Sequence, residues 1–100
     1  MVNRPLGSSH PNYPDLIYQL NYGFIPDTLS GDGEALDAYI LGVDYPVEEF
    51  EGYCVAYIQR LEEDDDKLIV VPVGYYVTDS DIKDQTKFVE KYYKSRIMRQ

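Results

Sequence analysis

The 100-residue sequence predicts a mainly β fold, either a small barrel or a curved antiparallel sheet, with one C-terminal helix. Two observations carry that expectation. The segments 38–43 (AYILGV), 53–61 (YCVAYIQRL) and 67–73 (KLIVVPV) are rich in Val, Ile and Tyr, residues that fit a pleated, half-buried surface. From Thr78 the apolar period changes: Phe88 with Tyr92, and Val89 with Tyr93, lie four residues apart, as one buried face of a helix requires. A sheet that buries one face against a single helix is a stable two-layer solution. The length suits one domain of about 100–150 residues. The expected division is an irregular arm over 1–15, a β core over 16–77 and a helix over 79–97.

Taken in order, residues 1–15 are crowded with turn formers, among them Pro5, Gly7, Pro11, Asn12 and Pro14, and read as the arm. LIYQLNYGFI (16–25) is apolar and aromatic, and reads as extended chain interrupted near Gly23. Pro26, Gly31 and Gly33 then impose a loop. The acidic run Glu62, Glu63, Asp64, Asp65, Asp66 separates the last two strand segments as a hairpin loop. Pro72 ends the later strand or places it at an edge. Asp79 or Ser80 is the expected helix N-cap, with Asp81 and Asp84 early and Lys91, Lys94 and Arg96 late, as the helix dipole prefers.

The balance of 18 acidic against 9 basic residues gives a net charge of −9. That argues against broad binding to nucleic acid or an anionic membrane, both of which need a basic face. An anionic substrate then requires local Lys or Arg, or a bridging cation. Cys54 is the single cysteine, so an intrachain disulfide is excluded, and its apolar setting predicts a buried, inert thiol. MVNRPLGSSH lacks the apolar stretch of a signal peptide, and no run approaches about 18 apolar residues, so a soluble cytoplasmic protein is expected. His10, the single histidine, lies in the arm and is assigned no catalytic duty.

Residues 30–37, SGDGEALD, gather Asp32, Glu34 and Asp37 on a glycine-punctuated turn. Two readings stay open. The stretch is a solvated loop, or its carboxylates converge on a hard cation such as Mg²⁺, which takes carboxylate and water oxygens and commonly only one or two carboxylates besides substrate phosphates. Without a cation, converging carboxylates repel, and one is pushed towards protonation. The later acidic run has the same two readings, with one added detail. Lys67 follows it directly and leads into LIVVP, placing a point charge suited to a phosphate at a strand entrance.

Read together, NYGFIP (21–26), GDGEALD (31–37) and DDDK leading into LIVVP (64–72) resemble the soluble family I inorganic pyrophosphatases. Members of that family show Asn-Tyr-Gly, then Asp-x-Asp-Pro-x-Asp, then Asp-x-Lys before an apolar strand. The resemblance covers roughly residues 18–73, with three motifs in the family's order. It implies an OB-like barrel and Mg²⁺-dependent hydrolysis of diphosphate to two phosphates, with Mn²⁺ as an alternative metal. Position by position, it implies that Asp32, Asp37 and Asp65 bind metal and that Glu34, at the family's middle aspartate, orients or deprotonates the attacking water as well as binding metal. Lys67 is implied as a catalytic and phosphate-contacting residue, joined on the substrate by Tyr18, Tyr22 and Arg4.

The sequence also departs from the family pattern. Ala35 stands where the motif has proline, and Glu34 is longer than aspartate by one C–C bond, about 1.5 Å. The aspartate before the Asp-x-Lys loop has Glu62 or Glu63 as its candidate replacement. The family's later Tyr-Lys pair has no clear counterpart, since Tyr93-Lys94 falls on the expected helix. Longer members begin with a segment carrying two more carboxylates and a lysine. These departures predict a short, divergent member, with RPLGSSHPNYPD as a branch-specific arm. The alternatives are a pyrophosphatase-like domain without turnover, binding metal, phosphate or a protein partner, and a hydrolase of another phosphoanhydride. A homo-oligomer stays open as the means of supplying missing cations.

Overall fold

A computed structural model describes residues 1–29, 33–63 and 65–99. Their elements run β1 (Val2–Arg4), β2 (Asn21–Ile25), β3 (Leu36–Ile40), β4 (Tyr53–Arg60), β5 (Asp66–Val71), α1 (Asp79–Glu90) and β6 (Ser95–Arg99). The strands form one six-stranded sheet in the order β1-β2-β3-β5-β4-β6. Every neighbouring pair is antiparallel except β3 and β5, which run parallel. The fold is thus mainly β with one helix, as expected, and among the described residues the sheet is open.

Strand alternation decides which residues face the core. On β4, Ala56, Ile58 and Arg60 are buried, and on β5 it is Lys67, Ile69 and Val71. Successive side chains on a strand point to opposite faces, so a basic residue two positions from a buried isoleucine must share its face. Both inner faces therefore carry a cation at one end. Tyr18, Leu20, Tyr39, Leu41 and Val77 complete the core, with Ile82 and Phe88 of α1 packed over it.

The arm is more ordered than its composition suggests. It opens with β1, whose pairing to β2 is extended by the terminal amine of Met1 donating to the Phe24 carbonyl at 3.1 Å. This approach explains Gly23, because a Cβ there would collide with the Met1 backbone. Residues 7–18 then double back, with Gly7 N–H donating to Tyr18 O and Tyr18 N–H to Ser8 O, both at 2.8 Å.

The helix departs from expectation at both ends. Thr78, rather than Asp79 or Ser80, is the N-cap: its hydroxyl accepts from the Asp81 N–H at 3.0 Å, while the Asp81 carboxylate accepts from the Thr78 N–H at 3.0 Å. Asp81 is accordingly held below the usual carboxylate range by these bonds to Thr78. The expected span to residue 97 is corrected by a helix ending at Glu90 and a strand over Ser95–Arg99. Tyr92 and Tyr93 consequently lie beyond α1. The competing force is the otherwise unpaired edge of β4, which takes β6 in the register Ile58 opposite Ile97. Tertiary pairing there outweighs a local helical pattern. No helix among the described residues is long and apolar enough to cross a membrane.

Candidate functional site

Lys67 is the centre of the site. Its place on the inner face of β5 buries the stem, and parallel pairing sets Asp37 of β3 directly beside it. The ammonium donates to an Asp37 oxygen at 2.6 Å and to Asp65, just before β5, at 3.0 Å. The Tyr22 ring centroid lies 5.6 Å from the nitrogen. Burial alone would lower the Lys67 pKa, but the neighbouring Tyr22 and the hydrogen bonds to Asp37, Tyr22 and Asp65 outweigh it, and the net shift is upward. Burial pushes the Tyr22 hydroxyl up as well, against the opposing pull of Lys67. Near neutral pH the centre is therefore an ammonium ion beside a neutral phenol, with both aspartates in hydrogen-bond contact with the ammonium.

The other substrate-side candidates converge here. Tyr18 stacks on Tyr22 with ring centroids 5.6 Å apart. Burial raises its hydroxyl pKa, opposed by the charge of Arg4 and a hydrogen bond to it. Arg4 pairs with Tyr22 across β1 and β2. The fold thus gathers Arg4, Tyr18, Tyr22, Asp37, Asp65 and Lys67.

The remaining sequence candidates are Asp32, Glu34 and Glu62, with Glu63 as the alternative to Glu62. Asp32, with its neighbour Gly31, lies outside the described residues. Glu34 is exposed on the bend before β3. Glu62 does not join Asp37 and Asp65: it is 72% exposed, and its carboxylate lies 3.6 Å from the Lys94 ammonium. Glu63 turns to Arg60 at 3.5 Å. Among the described residues, no three carboxylates, histidines or cysteines gather closely enough to hold a metal by themselves.

A second buried charge system was not anticipated from sequence. Arg60 donates through Nε to Glu90 Oε1 at 3.2 Å and through Nη2 to Oε2 at 2.7 Å, a two-pronged pair. The Tyr39 hydroxyl donates to the same Oε2 at 2.6 Å. The guanidinium carbon sits 3.6 Å over the Tyr93 ring, and Nη1 donates to Asp65 at 3.3 Å. Burial and the Glu90 charge together push the Tyr39 hydroxyl up, so it stays a neutral donor. The signal was present in two periodicities. Arg60 extends the buried series Ala56–Ile58 along β4, and Glu90 extends Ile82–Thr86 by a further four residues along α1.

Above these residues opens a cleft of about 1140 Å³. Tyr13 lines it from the arm, Tyr18 from the segment before β2, Tyr22 and Lys67 from the sheet, and Phe88 and Tyr92 from the far end of α1 and beyond. In a chain of net charge −9, the described lining includes Arg60, Lys67 and Lys91 but a single carboxylate, Asp15. A cationic floor with neutral phenol donors is suited to a phosphate group. Asp37 and Asp65, 31% and 22% exposed, offer hard oxygens beside it.

Comparison with known proteins places the chain in a family. The sequence profile of the inorganic pyrophosphatase family matches residues 5–99. An inorganic pyrophosphatase of Saccharolobus solfataricus is 39% identical over 64 residues, covering 60% of this chain and 37% of that protein. One from Aeropyrum pernix is 34% identical, covering 60% and 36%. The chain thus spans little more than a third of the length of these curated relatives. Among solved structures, an inorganic pyrophosphatase from Neisseria gonorrhoeae superimposes with a TM-score of 0.62 at 28% identity, covering 88% of this chain and 68% of that one. An inorganic pyrophosphatase from Helicobacter pylori reaches 0.69 over 99% of this chain and 82% of that one, at 18% identity, a likeness of fold.

Proposed function

The chain belongs to the inorganic pyrophosphatase family, and from that premise we propose that it hydrolyses inorganic diphosphate to two phosphates with Mg²⁺ as its metal. The observation that carries this reading is Lys67, buried at the floor of a cleft between Asp37 and Asp65. Family membership supports metal-dependent chemistry in general, and the donor set supports Mg²⁺ in particular. Two carboxylates are what Mg²⁺ commonly takes from a protein when substrate phosphates complete its shell, and Mn²⁺ accepts the same oxygens. Asp37 and Asp65 are the described residues that would hold it, and Asp32 is the further donor assigned by the sequence motif.

A bound divalent cation supplies charge neutralisation and a water of lowered pKa. The chain's own residues supply the rest. Lys67 stays protonated and acts as a fixed positive donor on a phosphate oxygen rather than as a base, stabilising the charge that grows on the leaving phosphate. Tyr18 and Tyr22, held neutral, are hydroxyl donors that orient the substrate, and Arg4 adds a second cation beside Tyr18. Glu34 is the residue assigned to orient or deprotonate the attacking water. In the reaction the water oxygen bonds to one phosphorus, the bridging P–O bond breaks, and two orthophosphates leave. The 100 residues are taken to act as one domain in a soluble, cytoplasmic setting, without nucleic-acid or membrane partners.

A second reading is a phosphate-binding domain without turnover. It is favoured by Asp65, which is already paired with both Arg60 and Lys67. Phosphate release from diphosphate at saturating Mg²⁺ separates the two. Release that Asp37→Asn abolishes establishes the hydrolase. Binding without release, by a folded protein, establishes the second reading.

A further inference from the structure

The cleft is larger and more aromatic than a bare diphosphate uses. Drug-sized ligands typically occupy clefts of about 300–1,000 Å³, and this one measures about 1140 Å³. A column of rings steps from the arm to the floor: His10 to Tyr18 at 6.3 Å and nearly parallel, Tyr18 to Tyr22 at 5.6 Å, and Tyr22 to Tyr39 at 5.0 Å. On the outer walls Tyr13, from the arm, and Tyr92, beyond α1, are 66% and 69% exposed although both line the cavity. Their exposed faces contribute little to the core, and a diphosphate ion has no planar surface to place against them. Lys91 lies 5.2 Å from the Tyr92 ring centroid and adds positive charge at the same wall. The cleft thus joins a cationic, phenol-lined floor to an aromatic rim.

The geometry points to a nucleoside diphosphate as the ligand class of this cleft, with the phosphates at Lys67 and the base stacked at Tyr13 and Tyr92. The inference rests on the reading of Lys67 as a phosphate site and extends it to the substrate's organic half. Base–aromatic stacking is sequence-tolerant because every base offers a π face, so the rim selects for a planar group rather than for one nucleobase. The corresponding hydrolysis balances without a further reactant. The water oxygen bonds to the terminal phosphorus, the bond from that phosphorus to the bridging oxygen breaks, and a nucleoside monophosphate, orthophosphate and a proton leave.

The test is calorimetric titration of the full chain with two ligands that cannot turn over, in the presence of Mg²⁺. These are adenosine 5′-(α,β-methylene)diphosphate and methylenediphosphonate, which differ by the nucleoside alone. The nucleotide is expected to bind about tenfold tighter or more, and Tyr13→Ala and Tyr92→Ala are each expected to cut that ratio several-fold. A ratio of one or below, or a ratio that neither variant changes, overturns the inference. Methylenediphosphonate that binds in a Lys67-dependent way without a nucleotide preference overturns it while leaving the phosphate site intact. If neither ligand loses affinity in Lys67→Met, the phosphate site itself falls, and this inference falls with it.

Discussion

Lys67 and Arg60 sit on neighbouring strands, share Asp65 as a partner, and are buried almost equally, with side chains 4% and 7% exposed. Their counter-charges differ. Arg60 is gripped through two nitrogens by Glu90, itself 6% exposed, with the Tyr93 ring against the guanidinium and Tyr39 on the same carboxylate. Lys67 faces two aspartates that keep contact with water. A cation whose counter-ion is sealed in protein is committed to the fold. One whose counter-ions remain wet can exchange part of its hydrogen bonding for a ligand. The two centres divide into a lock and a candidate site, although both are basic residues placed by the same strand period.

That division is broken most directly at Arg60. Arg60→Met leaves Glu90 buried without its cation, and removing one partner of a buried pair costs about 3–5 kcal/mol. Urea unfolding measures it. The double variant Arg60→Met/Glu90→Gln removes both charges, keeps an acceptor for Tyr39, and is expected to recover much of the loss. A cost near zero for the single variant would mean that Arg60 is no lock.

The matching change at the site is Lys67→Met. Loss of one preorganised donor to a developing charge typically lowers kcat by about 10²–10³, so phosphate release from diphosphate is expected to fall by that order. Its stability cost should be smaller than that of Arg60→Met, because Asp37 and Asp65 are left partly hydrated rather than sealed. The pH dependence has a definite sign. Folding raises the Lys67 pKa above its ordinary 10.5, so the folded state binds this proton more tightly than the unfolded state. The stabilisation is full below about pH 10.5 and declines as pH rises through the folded pKa. The stability gap between wild type and Lys67→Met should therefore narrow in that alkaline range.

Much of the fold was legible because strands announce themselves by composition: β4 and β5 fall at 53–60 and 66–71, where Val, Ile and Tyr cluster. The end of the helix was not. Phe88 with Tyr92 and Val89 with Tyr93 satisfy helical spacing, and the open β4 edge that draws Ser95–Arg99 into the sheet is remote in sequence. The site divides in the same way. Motif order singled out Asp37, Asp65 and Lys67, with Tyr18, Tyr22 and Arg4, and the fold brings these candidates together. The expected Glu62 instead pairs with Lys94, because the turn carrying it projects into solvent. The Arg60–Glu90 pair joins a strand to a helix, so neither partner alone reveals it.

Metal addition sharpens the contrast at a somewhat smaller scale. A cation that binds the folded chain alone stabilises it by about 2.7 kcal/mol at a hundred times its Kd. Mg²⁺ is expected to raise the unfolding midpoint, and Asp37→Asn to remove most of that rise. Arg60→Met, though less stable at the outset, should keep the increment, since Asp37 is untouched and Asp65 loses only a competing cation. An increment equally reduced in both variants would mean that the two centres behave as one.

The finest cut is at Tyr93, 40% exposed and stacked on Arg60 at 3.6 Å. A cation–π contact contributes about 0.5–1 kcal/mol when exposed and about 2 kcal/mol when desolvated, so this half-covered ring is expected to contribute about 1 kcal/mol. Tyr93→Phe keeps the π face and should leave urea stability nearly unchanged, whereas Tyr93→Leu keeps apolar cover and should lose the contact. If the two variants are equally stable, the ring serves only as a lid over Arg60. If only the leucine variant falls, the ring's electrostatics are part of the lock. In that case an aromatic face fixes Arg60 in place, a support that the aspartate-held Lys67 lacks at so short a distance, its nearest ring centroid, that of Tyr22, being 5.6 Å away.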